Sequence, residues 1–158
     1  MPLITLKTKI QAPVERCFDL STSIDLHKKS VEHTQEEVVS GRTNGLMQLN
    51  EEVTWRAKHL GVWFVMTVRM TDYERPYYFC DEMVSGPFQS MAHQHYFEEL
   101  NEGTLMIDKF RFVSPLGVLG RLANATVLKK HLTELLFTRN EAIKTFAETN
   151  RWQEVLPS

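Results

Sequence analysis

The residues best suited to chemistry lie between Phe88 and Val113. In Met91-x-His93-x-His95-x-Phe97 side chains alternate, so on a strand these four share one face. On the next segment Met106, Asp108, Phe110 and Phe112 share a face. Leu100-Asn101-Glu102-Gly103 suits a four-residue hairpin loop in which Gly103 takes positive φ. Closing that loop pairs Glu99 with Thr104, Phe97 with Met106, His95 with Asp108 and His93 with Phe110. An imidazole then stands across from a carboxylate on an inward face, where a carboxylate is costly unless paired. Three readings fit the pair. It is a satisfied core pair that fixes register, a polar anchor for a ligand head group, or an acid–base dyad in which Asp108 orients His95.

A second group sits on Gln48 to His59. Leu49, Glu51, Val53, Trp55, Ala57 and His59 share one face, and Asn50, Glu52, Thr54, Arg56 and Lys58 form a solvated opposite face. An aromatic ring with polar neighbours on an otherwise apolar wall is what small-molecule pockets use. The plain alternative is a core Trp with a His at the strand end near solvent. The candidate ligand contacts are Glu51, Trp55, His59, Met91, His93, His95, Met106, Asp108 and Phe110. His95 and Asp108 are catalytic candidates only if the chain is an enzyme.

Histidines 27, 59, 93 and 95 invite a metal reading, because two His at i, i+2 plus a carboxylate make a workable set of ligands. H-x-H spacing is common in strands, however, and no H-E-x-x-H is present, so neither metal nor cofactor is expected. Other chemistries find no motif. Ser85-Gly86 and Ser114-Pro115 lack the G-x-S-x-G elbow, no G-x-G-x-x-G occurs, and Gly117 to Gly120 lacks the Lys and Ser/Thr of a phosphate loop. Met47, Met66, Met70, Met83, Met91 and Met106 are many for one chain; Met fills irregular apolar space and tolerates varied ligands.

The elements that must position these residues follow from punctuation and period. Gly41, Gly45, Gly61, Pro76, Gly86-Pro87, Gly103 and Pro115 separate short segments rich in β-branched and aromatic residues, the rhythm of an antiparallel meander. Leu3–Gln11 alternates as a strand. Ala12-Pro13 then opens a helix with Val14, Cys17 and Phe18 inward, and a second short helix covers Ile24 to Lys29. Extended segments follow near Glu36–Ser40 and over Gln48–His59, Val62–Thr71, Tyr77–Val84, Phe88–Glu98 and Thr104–Val113. Leu128, Leu132, Leu135, Leu136, Ile143, Phe146 and Ala147 then keep helical spacing. This helix is expected from an N-cap near Asn124 to about Asn150, with a shorter turn over Leu116–Leu122 before it. A long sheet crossed by one long helix should curl around it, with the two short helices plugging one end. The fold class is therefore α+β, one domain over residues 1–158, hollow between sheet and helix.

The chain has 158 residues, 42% hydrophobic and 24% charged, with a formal net charge of -2. These are values of an ordinary globular domain. No Lys/Arg block suggests a nucleic-acid partner. Cys17 and Cys80 are too few and too far apart for a disulfide framework or zinc ribbon, and read as buried thiols in a reducing compartment. No secretory leader and no membrane-spanning run stands out, so a cytoplasmic location is expected. Trp63 and Val65 project outward from their strand, and an exposed patch there suggests a homodimer surface.

Several stretches carry a family resemblance over essentially the whole chain. They are Ser23-Ile24-Asp25-Leu26-His27, Val53-Thr54-Trp55-Arg56-Ala57-Lys58-His59-x-Gly61, and Gly86-Pro87-Phe88 followed by His93-x-His95-x-Phe97. Thr104-x-Met106-x-Asp108 with Ser114-Pro115-Leu116-Gly117 belongs with them. Together they resemble the bacterial SRPBCC ligand-binding proteins of the START/Bet v 1-like superfamily, in the cyclase/dehydrase-like branch. The resemblance implies a helix-grip fold, a seven-stranded antiparallel sheet wrapped around a long C-terminal helix. It implies binding or carriage of an apolar molecule (lipid, polyketide-like or aromatic), or alternatively a cyclase or dehydratase. Related sequences often carry Trp where this chain has Met91, which changes the cavity.

Overall fold

The computed structural model describes residues 2–59, 61–114 and 117–157, with side chains over the same ranges except 117–125. The elements are β1 (Leu3–Ile10), α1 (Val14–Thr22), α2 (Ile24–Ser30), β2 (Glu37–Gly41), β3 (Glu52–His59), β4 (Val62–Glu74), β5 (Tyr78–Ser85), β6 (Ser90–Leu100), β7 (Gly103–Val113) and α3 (Gly117–Glu148). Short 3-10 turns cover Glu32–Thr34 and Asn150–Glu154. The seven strands form one antiparallel sheet in the order β1-β7-β6-β5-β4-β3-β2. With two short helices after β1 and the long helix last, this is the α+β helix-grip arrangement.

Alternation decides which residues face inward. Along β6 Met91, His93, His95 and Phe97 are buried, and along β7 Thr104, Met106, Asp108, Phe110 and Phe112 are. The register is Glu99 to Thr104, Phe97 to Met106, His95 to Asp108 and His93 to Phe110. Leu100 pairs with Gly103, so the loop is tighter than the sequence suggests, with Asn101 and Glu102 at its tip. Gly103 has φ +118°, and a Cβ there would lie 2.3 Å from the carbonyl oxygen of Ile10. Only glycine lets β7 turn this close under the end of β1.

The sheet bends through irregular pairing between β4 and β5, at Thr67/Val68 and at Met70/Asp72, and between β2 and β3, at Val38/Ser40. Extra residues of this kind bend the bulged strand and increase its twist. Inside the bend, Phe18 of α1 meets Tyr73, Phe79 and Phe97 edge-on, with centroids 5.3, 5.3 and 5.4 Å away. Each such ring contributes roughly 1.5–3 kcal/mol by burial. This aromatic cluster closes one part of the interior solidly.

Helix α3 carries a stripe at spacings of three and four: Leu128, His131/Leu132, Leu135/Leu136, Arg139/Asn140, Ile143 and Phe146/Ala147. It packs mainly on β1, α1 and α2, and Ile143, Phe146 and Ala147 are fully buried. The helix begins at Gly117, so Asn124 lies within it and is not its first residue. Pro115 and Leu116 lie outside the described residues. Cys17 and Cys80 are buried free thiols. On the outer face Trp63 and Val65 are exposed, and the Arg56 guanidinium lies 3.9 Å over the Trp63 ring. No described helix is long and apolar enough to cross a membrane.

Candidate functional site, a cavity between sheet and long helix

Between α3 and the inner face of β3 to β7 lies a cavity of about 490 Å³. Ligand pockets run from roughly 300 to 1,000 Å³, so the volume suits a small organic molecule. The wall is mostly apolar. Met47, Met66, Met70, Met91, Val53, Val68, Phe64, Phe79, Phe88 and Phe110 line it from the sheet side, and Leu128, Leu132, Leu135 and Leu136 from α3.

The sequence candidates divide into two sets. Trp55, His59, Met91, His93 and Phe110 line the cavity. His95, Met106 and Asp108 are buried to 1% exposure or less and sit in the core beside it, away from the lining. Glu51 lies elsewhere. Asn50 takes a left-handed φ of 68°, which breaks the alternation before β3 starts at Glu52. Glu51 instead accepts from the Gln48 N–H at 2.6 Å and pairs with Arg42 at 2.8 Å.

The polar spot in the wall is larger than the sequence suggests. His93 Nε2 bonds Asp108 Oδ1 at 2.8 Å. His95 is directly opposite Asp108, yet its Nδ1 is 3.2 Å from the same oxygen and out of line for a hydrogen bond. The diagonal neighbour, His93, makes the bond, since diagonal positions on adjacent strands are within reach of long side chains. Asn140 of α3 donates from Nδ2 to Asp108 Oδ2 at 2.7 Å. Arg139 donates from Nη2 to the Ser21 carbonyl at 3.1 Å, with Nη1 3.8 Å from Asp108 Oδ1. Asp81 of β5, paired in register with His93, completes the group. Its Oδ1 is 3.5 Å from His95 Nε2 and 4.0 Å from His93 Nδ1.

Electrostatics follow from that crowding. Burial by itself would raise both carboxyls, but the adjacent imidazoles outweigh it. Asp81 is held down at about 2, and Asp108 is held well below the ordinary carboxylate range. For His93, burial and the neighbouring His95 outweigh the two carboxylates and push it down to about 4. His93 is therefore neutral near pH 7, and because Nε2 faces an ionised carboxylate, Nε2 carries its proton. The rings of His93 and His95 are 3.7 Å apart, and His95 stacks on Phe79 at 4.0 Å.

A second polar group gathers at the end of β3. His59 Nδ1 is 3.1 Å from His131 Nε2 on α3, joining sheet to helix across the cavity edge. His27 Nε2 is 3.0 Å from Glu36 Oε1, and its ring lies 4.3 Å from that of Trp55. Burial raises Glu36, but His27, His59 and Thr34 together outweigh it and lower it overall. Burial lowers His59 against the attraction of Glu36.

Asp81, Arg139, Asn140, Glu36 and His131 were missed from the sequence. Asp81 shares a strand face with Phe79 and Met83, which signals an inward carboxylate. Arg139 and Asn140 occupy the one turn of the α3 stripe where apolar residues give way to polar ones.

No protein-family model and no curated protein matches the sequence. Solved structures do match in shape. A START superfamily protein from Mycobacterium smegmatis aligns at TM-score 0.70 and 12% identity, over 92% of this chain and 97% of that one. TTHA0849 from Thermus thermophilus aligns at 0.71 and 19% identity, over 90% and 97%. The chain has the START/Bet v 1-like fold. The di-domain ARO/CYC BexL from the BE-7585A biosynthetic pathway aligns at 0.74 and 13% identity, over 94% of this chain and 50% of that one. Within the START/Bet v 1-like fold, the cavity described above is the space between the gripping sheet and α3.

Proposed function

We propose that the protein binds and carries an apolar small molecule in this cavity, with one polar group of that molecule set against Asp81, His93 and Arg139. The observation that supports the reading is the wall. It is built of Met, Phe, Leu and Val side chains, with polar atoms gathered in a few places. Flexible thioethers from Met47, Met66, Met70 and Met91 let such a wall adapt to the molecule it holds. Structures of the same shape include a START superfamily protein and an ARO/CYC protein, which agrees with an organic ligand of lipid, polyketide-like or aromatic character.

Acid–base catalysis is the less favoured reading. His95 does not line the cavity, and His93, pushed down to about 4, is a weak base near neutral pH. Binding is tested by extracting the purified protein into organic solvent for mass spectrometry, and by titrating it with fatty acid, sterol and aromatic probes. A co-purified compound or a saturable probe supports the reading. No compound and no probe binding overturns it.

A further inference from the structure

We propose that Asp81 Oδ1, His93 Nδ1 and His95 Nε2 bind a divalent transition-metal ion at the edge of the cavity. Donor atoms from these three residues lie within 4.8 Å of one another. Asp81 Oδ1 is 3.5 Å from His95 Nε2 and 4.0 Å from His93 Nδ1. An ion with Zn–N and Zn–O bonds of about 2.1 Å in tetrahedral geometry holds its ligand atoms roughly 3.4 Å apart. Small side-chain rotations close the difference.

The hydrogen bonding around the three residues points the same way. His93 gives its Nε2–H to Asp108, so Nδ1 presents a lone pair toward the Asp81 carboxylate. These two acceptors face each other at 4.0 Å, a separation that a cation between them would relieve. Asp81 Oδ1 and both ring nitrogens of His95 are buried without a hydrogen-bond partner among the described residues, and buried polar groups are otherwise nearly always satisfied. His93 is held by Asp108 through its other nitrogen at 2.8 Å, and His95 Nδ1 lies 3.2 Å from the same oxygen without bonding it. A carboxylate behind a ligating imidazole fixes ring orientation and raises ligand basicity. Asp108 is held in turn by Asn140. Arg139 is ion-paired with Asp108, not with Asp81, among the described residues.

Two nitrogens and one carboxylate oxygen suit Zn²⁺, Fe²⁺ or their neighbours, and three protein ligands leave positions open. Asp81 and His93 line the cavity while His95 stands behind, so the open positions face whatever the cavity holds. The ion would take an oxygen donor of the bound molecule. The H-x-H pair raised a metal reading in the sequence, but not with Asp81, because this carboxylate comes from β5, outside the H-x-H strand.

The test uses the full chain stripped with chelator and titrated with Zn²⁺ alone and with Co²⁺ alone. Neither needs an apolar ligand, so failure here leaves the cavity reading standing. A single equivalent should bind. Co²⁺ should give visible ligand-field bands without the thiolate charge-transfer band that Cys80 or Cys17 would add. Asp81→Asn should weaken binding at least about tenfold, while His33→Gln, at an exposed histidine, leaves it unchanged. Should Asp81→Asn fail to fold, ring-nitrogen NMR of the unaltered chain decides: Zn²⁺ must shift His93 and His95. Absence of stoichiometric binding, equal binding by Asp81→Asn, or shifts confined to other histidines overturns the proposal.

Discussion

Asn140 Nδ2 donates to Asp108 Oδ2 at 2.7 Å, tying α3 to β7 through a carboxylate that is itself fully buried. The other oxygen of Asp108 accepts from His93. One side chain therefore joins the long helix to the sheet and fixes the imidazole that faces the cavity. The long helix is thus held to the sheet by a polar contact as well as by its apolar packing.

Truncating either partner should be costly. Asn140→Ala leaves a buried carboxylate oxygen short of a donor and should lower stability by about 1–3 kcal/mol. Asp108→Ala strands His93, Arg139 and Asn140 together and should cost about 3–5 kcal/mol. Urea melts of the two variants check this. Equal stability of Asn140→Ala and the unaltered chain contradicts the tie.

The hairpin between β6 and β7 depends on one glycine. Gly103→Ala would push a Cβ to 2.3 Å from the Ile10 carbonyl oxygen at a φ of +118°. It should lower stability by about 1–3 kcal/mol, and a thermal melt reads the change. An unaltered melting temperature would mean that β7 does not pass this close to β1.

Cavity shape is open to a single substitution. Met91 lines the cavity from β6, and Met91→Trp puts a larger, stiffer ring into the same space. Affinity for a bulky rigid probe should fall about tenfold or more, with far-ultraviolet circular dichroism unchanged. Unaltered affinity would place the probe elsewhere.

The histidines at the end of β3 make stability depend on pH. Burial keeps His59 below its ordinary value of 6.5, with Glu36 pulling the other way and His131 and His33 adding to the lowering. As pH falls through 6.5 the unfolded chain takes up a proton that the folded chain still refuses. Stability is thus full above that pH and declines below it. Glu36, lowered from 4.5 because His27, His59 and Thr34 together outweigh the cost of burial, acts in the same sense further into acid. Between about pH 7.5 and about pH 5.5 the melting temperature should drop less in His59→Gln than in the unaltered chain. Equal drops contradict the assignment.

Much of the fold could be read in the sequence because its signals are local. Alternation through His93 and Asp108 set the β6/β7 register, and the Gly103 turn set its phase. Spacing from Leu128 to Ala147 marked the long helix, though not its start: Asn124 has the side chain of an N-cap, but the helix already runs through it from Gly117. The candidate site was less legible. Glu51 follows the alternation on paper, but a left-handed Asn50 interrupts the strand. Asp81 and Arg139 reach His93 and His95 through sheet order and helix rotation, and neither is encoded in spacing along one segment. The hydrogen bond to Asp108 comes from the diagonal His93 and not from His95, a detail a flat register does not show.

The proposed organic ligand occupies the space between the sheet and α3. Methyl NMR with labelled methionines and a naphthalene-based probe tests it most directly. Met47, Met66, Met70 and Met91 line the cavity, while Met106 is buried outside it. Bound probe should cross-relax with the first four methyl groups and not with Met106. Saturable binding that leaves those four methyl groups untouched, or no binding at all, would contradict this placement.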